Sequence, residues 1–176
     1  MPAAHTAPTV HTGSLVAALL LALVHWLPLP LHAQEVCPGV AAEPVLQIVN
    51  AVRARGLRCG GQEPLVQAGV LGWNALLAQA AQQQADWLAR HGPLVHVGPR
   101  GESLATRAAA AGYRYARISE NLAAGQDGVF GAVRAWELSP SHCRALIDPA
   151  VTETALACAP GRDGEPVWVM LLGRPR

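Results

Sequence analysis

Residues 1–33 contain no aspartate, glutamate, lysine or arginine, and Leu15 to Val24 is an unbroken apolar run. A membrane-spanning helix needs roughly 20 consecutive apolar residues, and His25, Pro28 and Pro30 interrupt this run too early for that. An apolar core, a proline break and then Leu31-His32-Ala33 follow the order of a secretory signal with a small residue at its cleavage point. Cleavage is expected after Ala33, with no cysteine there to take a lipid anchor. The remainder, residues 34–176, is expected to be one domain of a secreted or periplasmic protein, with no stable membrane span after cleavage.

All four cysteines, Cys37, Cys59, Cys143 and Cys158, fall in that exported part. An even number in an oxidising compartment reads as two disulfides, and no C-x-x-C pair suggests zinc or redox work. Three pairings are possible. The local one, Cys37 with Cys59 and Cys143 with Cys158, closes the shortest loops, each contributing about 3 kcal/mol.

Composition narrows the class further. The chain is 51% hydrophobic and 14% charged, which suits a packed core rather than a disordered tail. Lysine is absent, and thirteen arginines are scattered among twelve acids for a formal net charge of +1. No linear basic run marks a nucleic-acid or membrane-surface patch.

Hydrophobic spacing then places the elements. A helix starts at Pro44, with Val45, Ile48, Val49 and Val52 on one face, and ends at Gly56. The clearest helix runs from Leu71 to Arg90 with Trp73, Leu77, Ala80, Gln84 and Leu88 in register, so Gln84 points inward, either as a hydrogen-bonded core residue or as part of a polar cavity. Further helices are expected over Glu102–Ala111, Gly128–Leu138 and from Pro140. Ile118 to Gly125 alternates as a strand does, and Thr152–Ala159 with Val167–Leu172 forms a terminal hairpin around a Pro-Gly-rich turn. The architecture is α+β, several helices around a small antiparallel sheet.

Three histidines remain beyond the signal, and His96 and His142 sit next to irregular or turn-forming sequence rather than in an apolar stripe. His91 ends the long helix, where an imidazolium suits the helix dipole. Glu120 is the one acid in the Ile118–Gly125 segment, whose alternation buries one face, so its carboxylate calls for a cation or metal partner. Two histidines and a glutamate can ligate zinc, although the His-Glu-x-x-His helix that makes such a site specific is absent. No G-x-S-x-G elbow, phosphate loop or second paired acid supports nucleophilic or glycosidase chemistry. Ser139 and Ser141 read as helix caps.

Six ordered blocks carry a family likeness: Gly72 to Ala81, Val95-His96-Val97-Gly98, Arg107 with Ala111-Gly112-Tyr113, Glu120 to Gly125, Trp136 to Cys143, and Trp168 to Gly173. Together they resemble the CAP superfamily of cysteine-rich secretory proteins, venom antigens and pathogenesis-related proteins, above all its short bacterial SCP-like extracellular members. The resemblance implies a three-layer α-β-α sandwich with a central antiparallel sheet and a polar cavity whose two histidines and glutamate map onto His96, Glu120 and His142. The second glutamate of animal members falls on Ser139. Gln84 stands where bacterial relatives usually carry histidine, Ser119 where they carry glycine, and Cys143 where they often carry arginine. The substitution at Cys143 supports a bond to Cys158, and that at Ser119 suggests a locally different backbone.

The function expected from this resemblance is a non-enzymatic binding module. Its cavity residues His96, Glu120, His142 and Gln84 surround a site in which His96, His142 and Glu120 hold a divalent cation, zinc above all. An extracellular protein, a lipid or a cell-envelope component is the expected partner, not nucleic acid. The alternative is a peptidase-like hydrolase in which Glu120, His96 or His142 serves as general base on a water, with or without the metal.

Overall fold

The computed structural model describes Met1, Cys37, residues 39–61 and residues 63–176. Apart from Met1, the export segment expected over 1–33 lies outside the described residues. No helix among those described is long and apolar enough to cross a membrane.

Helix α1 (Ala42–Arg55) buries Val45, Val49 and Val52 and stops at Gly56, whose φ of 74° is cheap only for glycine. A Cβ there would also lie 2.8 Å from the Val66 carbonyl oxygen. Strand β1 (Gly72–Trp73) and helix α2 (Ala75–His91) replace the single helix expected from Leu71. The reason is Asn74, whose side-chain oxygen accepts from the Leu76 and Leu77 amides and so fixes the helix start. Helix α3 (Leu104–Ala110), strand β2 (Tyr115–Ala124), helices α4 (Gly128–Leu138) and α5 (Pro140–Leu146), and the hairpin β3 (Glu153–Pro160) and β4 (Pro166–Pro175) follow. Ser139 takes the N-cap position of α5 without a side-chain cap bond. Ser119 lies within β2 and no non-glycine residue among those described has positive φ, so the backbone before Glu120 is ordinary extended strand.

The sheet order is β1-β3-β4-β2. Strands β2, β4 and β3 pair antiparallel, while β1 adds a two-residue parallel pairing to β3, so the sheet is mixed rather than purely antiparallel. Period-2 alternation sorts the side chains to two helical layers. Ala155, Ala157 and Ala159 of β3, with Val167, Val169 and Leu171 of β4, meet α2 and α3. Leu156 and Cys158 of β3, with Trp168, Met170 and Leu172 of β4, meet α1, α4 and α5. Alanines of α2 and β3 make up much of the first layer, whereas Trp136, Trp168 and Leu146 fill the second.

The cysteine pairing expected from loop length is wrong. Cys37 bonds Cys158 and Cys59 bonds Cys143, across sequence separations of 121 and 84. Short loops would have been entropically easier, but the fold places Cys158 on the sheet face that α1 covers, and α5 beside the chain leaving α1. Closing such long loops removes more freedom from the unfolded chain, about 4–5 kcal/mol each in a chain-entropy account.

One buried cation completes this face. Arg53, 1% exposed, donates to the carbonyls of Gly69, Leu146, Asp148 and Val151. Burial holds its guanidinium below the ordinary arginine value, an effect opposed by Asp148. It thereby satisfies carbonyls at the end of α5 that the helix itself leaves open.

Candidate functional site

Neighbouring residues of β2 address its two sides. Glu120 faces the α2–α3 layer, where its Oε2 accepts from Arg107 Nη2 at 2.5 Å and its Oε1 meets His96 Nδ1 at 2.9 Å. Asn121 faces the α5 layer and donates through Nδ2 to the His142 carbonyl at 3.0 Å. β2 is an edge strand of the sheet, and His142 lies near enough to His96 to feel its charge. Of the residues expected from the sequence, Glu120 and His96 are in direct contact, Gln84 holds the backbone on either side of His96, and His142 is tied to β2 only through its backbone carbonyl.

His96 lies on irregular chain between α2 and α3, yet its backbone is closely held. Gln84 Nε2 donates to the carbonyls of Val95 and Val97 at 3.1 and 3.0 Å, and Arg107 Nη1 donates to the carbonyl of His96 at 3.0 Å. Three successive carbonyls thus end on two buried side chains. Gln84 is the hydrogen-bonded inward residue that its spacing allowed, although its Oε1 is buried with no protein partner among the described residues. His91 ends α2, stacked on Trp87 with ring centroids 5.4 Å apart, and takes no part in the site.

Electrostatics separate the members. The Glu120 and Arg107 side chains are 1% and 7% exposed, a buried ion pair, while the His96 side chain is 59% exposed. Burial first, and then the neighbouring His96 imidazole, hold His142 below the ordinary histidine value. Both favour the neutral imidazole, the form that ligates metal.

As a metal centre the set is partial. Among the described residues no group of three or more His, Cys, Asp or Glu is arranged to hold an ion. The Glu120 oxygens are taken by His96 and Arg107, so the carboxylate orients His96 instead of joining it as a ligand. Its bond to Nδ1 leaves His96 Nε2 as the outward nitrogen, the carboxylate-histidine arrangement common behind metal ligands.

Two residues escaped the sequence reading of the site. Arg107 is the single charge in the Leu104–Ala111 alanine run, and that isolation was its signal. Asn121 had only its position beside Glu120, on the opposite face of an alternating strand.

The sequence model described as cysteine-rich secretory protein family (CAP) matches residues 46–172. Among solved structures, an extracellular protein containing an SCP domain from Bacillus anthracis superposes with a TM-score of 0.61 at 17% identity, covering 76% of this chain and 40% of that one. An outer surface protein from Borrelia burgdorferi gives 0.62 at 19% identity over 80% of this chain and 99% of its own. NaASP2, solved with Zn2+, gives 0.53 at 13% identity over 80% and 82%. This chain thus spans less than half of the Bacillus protein but nearly all of the Borrelia one. No curated protein matches it.

Proposed function

The chain belongs to the cysteine-rich secretory protein family, and from that premise we propose that it is an exported binding module whose His96 and His142 take a divalent cation, zinc by ligand chemistry. The observation that carries this reading is the double engagement of Glu120, with one oxygen on His96 Nδ1 and the other on Arg107. A carboxylate so held orients an imidazole, and the guanidinium beside it makes it a poorer base toward water. That favours binding over a hydrolase in which Glu120 is the general base. Neutral His142 and outward-facing His96 Nε2 are two nitrogen donors suited to zinc. A bound ion would supply an open coordination position for a ligand. NaASP2 was crystallised with this ion, and its likeness to this chain is one of fold.

Calorimetric titration of the metal-free protein with zinc tests the proposal. One saturable site is expected, lost in His96→Ala and in His142→Ala, and weakened roughly 10- to 100-fold in Glu120→Gln, as for other residues behind a ligand. Unchanged binding in either histidine variant would contradict it.

A further inference from the structure

Arginines that are scattered in sequence converge in the fold. The antiparallel register sets Arg117 of β2 directly opposite Arg174 of β4, and the Arg176 amide donates to the Arg114 carbonyl one step further along. Four of the thirteen arginines thus occupy one end of the sheet in a chain whose formal net charge is only +1. Directly opposed like charges, with Cβ atoms about 5 Å apart, destabilise a strand pair. Arg117 is relieved by Asp148. Among the described residues, Arg114, Arg174 and Arg176 have no ion pair, and the Arg114 and Arg174 guanidinium groups donate no hydrogen bond. The Glu153 carboxylate at this end already accepts from Tyr113 Oη and Asn74 Nδ2.

An open cleft of ≈ 630 Å³ lies here, with Arg114 and Arg176 as its charged lining beside Tyr115. Arg176 Nε donates to the Tyr115 carbonyl, which braces the side chain while leaving both terminal nitrogens open. Protection of an edge strand accounts for an outward charge on β2. It does not account for Arg174 and Arg176, which belong to the interior strand β4 and its end.

We propose that this corner binds a polyanionic chain carrying closely repeated phosphate groups. Guanidinium forks match phosphate oxygens in pairs. Each exposed contact is worth little alone, so a single small anion is held poorly and a chain that engages several arginines is held well. Arg117 and Arg174 share the sheet face toward α5, while the Arg114–Arg176 cleft opens on the α3 side beside Tyr113, so the occupant must pass around the edge strand β2.

The test is fluorescence anisotropy of labelled inorganic polyphosphate with the purified protein in chelator, which keeps the result independent of the zinc reading. Polyphosphate is expected to bind with an affinity that falls steeply with salt. The exposed triple variant Arg114→Gln, Arg174→Gln, Arg176→Gln should weaken binding at least tenfold with an unchanged melting temperature. Arg90→Gln with Arg162→Gln, which removes two arginines elsewhere on the molecule, should keep the original affinity. Orthophosphate should not compete at equal phosphorus concentration. Equal weakening in the control pair, no binding at low salt, or binding to anionic phosphatidylglycerol vesicles without binding to polyphosphate would each overturn the assignment.

Discussion

On the sheet face covered by α1, α4 and α5, two disulfides, two buried tryptophans and the four-carbonyl grip of Arg53 hold the layers together. On the face covered by α2 and α3 the described residues have no covalent link. There alanines of α2 and β3 pack with leucines and valines, and the polar connections include the Arg107–Glu120 pair and the Gln84 bonds. The candidate site takes one histidine from each side. His142 precedes Cys143, which is bonded to Cys59, whereas His96 depends on hydrogen bonds alone. A cation site built this way has one covalently anchored half and one half that non-covalent contacts must order.

The comparison breaks most severely where the staples are removed. Replacing Cys59 and Cys143 together by serine should cost about 4–5 kcal/mol by the loop-closure account, read as a lower urea midpoint. Zinc affinity should fall with it, because α5 loses its anchor. An unchanged midpoint would show that the face is held by packing alone.

The opposite face has a comparable weak point in one ion pair. Arg107→Ala strands a buried carboxylate and releases the His96 carbonyl, for an expected loss of about 3–5 kcal/mol by denaturant unfolding. Pairing it with Glu120→Gln should recover part of that loss. No recovery in the double variant would mean that Arg107 acts through its backbone contacts and not through its charge.

A smaller change isolates the loop. Gln84→Leu leaves the Val95 and Val97 carbonyls without their donor and should destabilise by about 1–3 kcal/mol. Amide exchange should quicken over residues 94–98 and not over α5. Equal acceleration in both places would remove the distinction between the halves.

The mildest effect is that of pH. His142 has a folded pKa below its unfolded value near 6.5, so the unfolded chain binds more protons as the medium acidifies. Its contribution to stability is complete above that unfolded value and declines as pH falls toward the folded one. His142→Asn should flatten this part of the stability profile, and an identical profile in the variant would assign the titration elsewhere.

The same contrast explains what was legible in the sequence. Periodicity identified α1, α2, α4, β2 and the terminal hairpin because each buries a regular stripe. It could not find β1, whose two residues have no period and are placed by Glu153 and Thr154 of a strand far along the chain. Cysteine pairing is not legible because loop entropy favours neighbours, while the paired positions are set by which sheet face Cys158 occupies. His96, Glu120, His142 and Gln84 stand out in the sequence as polar residues in apolar or turn-rich surroundings, whereas the contact of Glu120 with His96 is visible only in the fold. The arginine corner was invisible because only strand register brings Arg117 to Arg174.

The most direct test of the two-sided site is a nitrogen-proton correlation spectrum of the imidazole rings, recorded at about pH 7.5, above the ordinary histidine pKa, before and after zinc. The account predicts that His96 starts as the Nδ1-H tautomer, and that zinc moves its Nε2 together with one ring nitrogen of His142 while His91 stays unchanged. A His96 ring protonated on Nε2, or a zinc response that leaves His142 untouched, would contradict it.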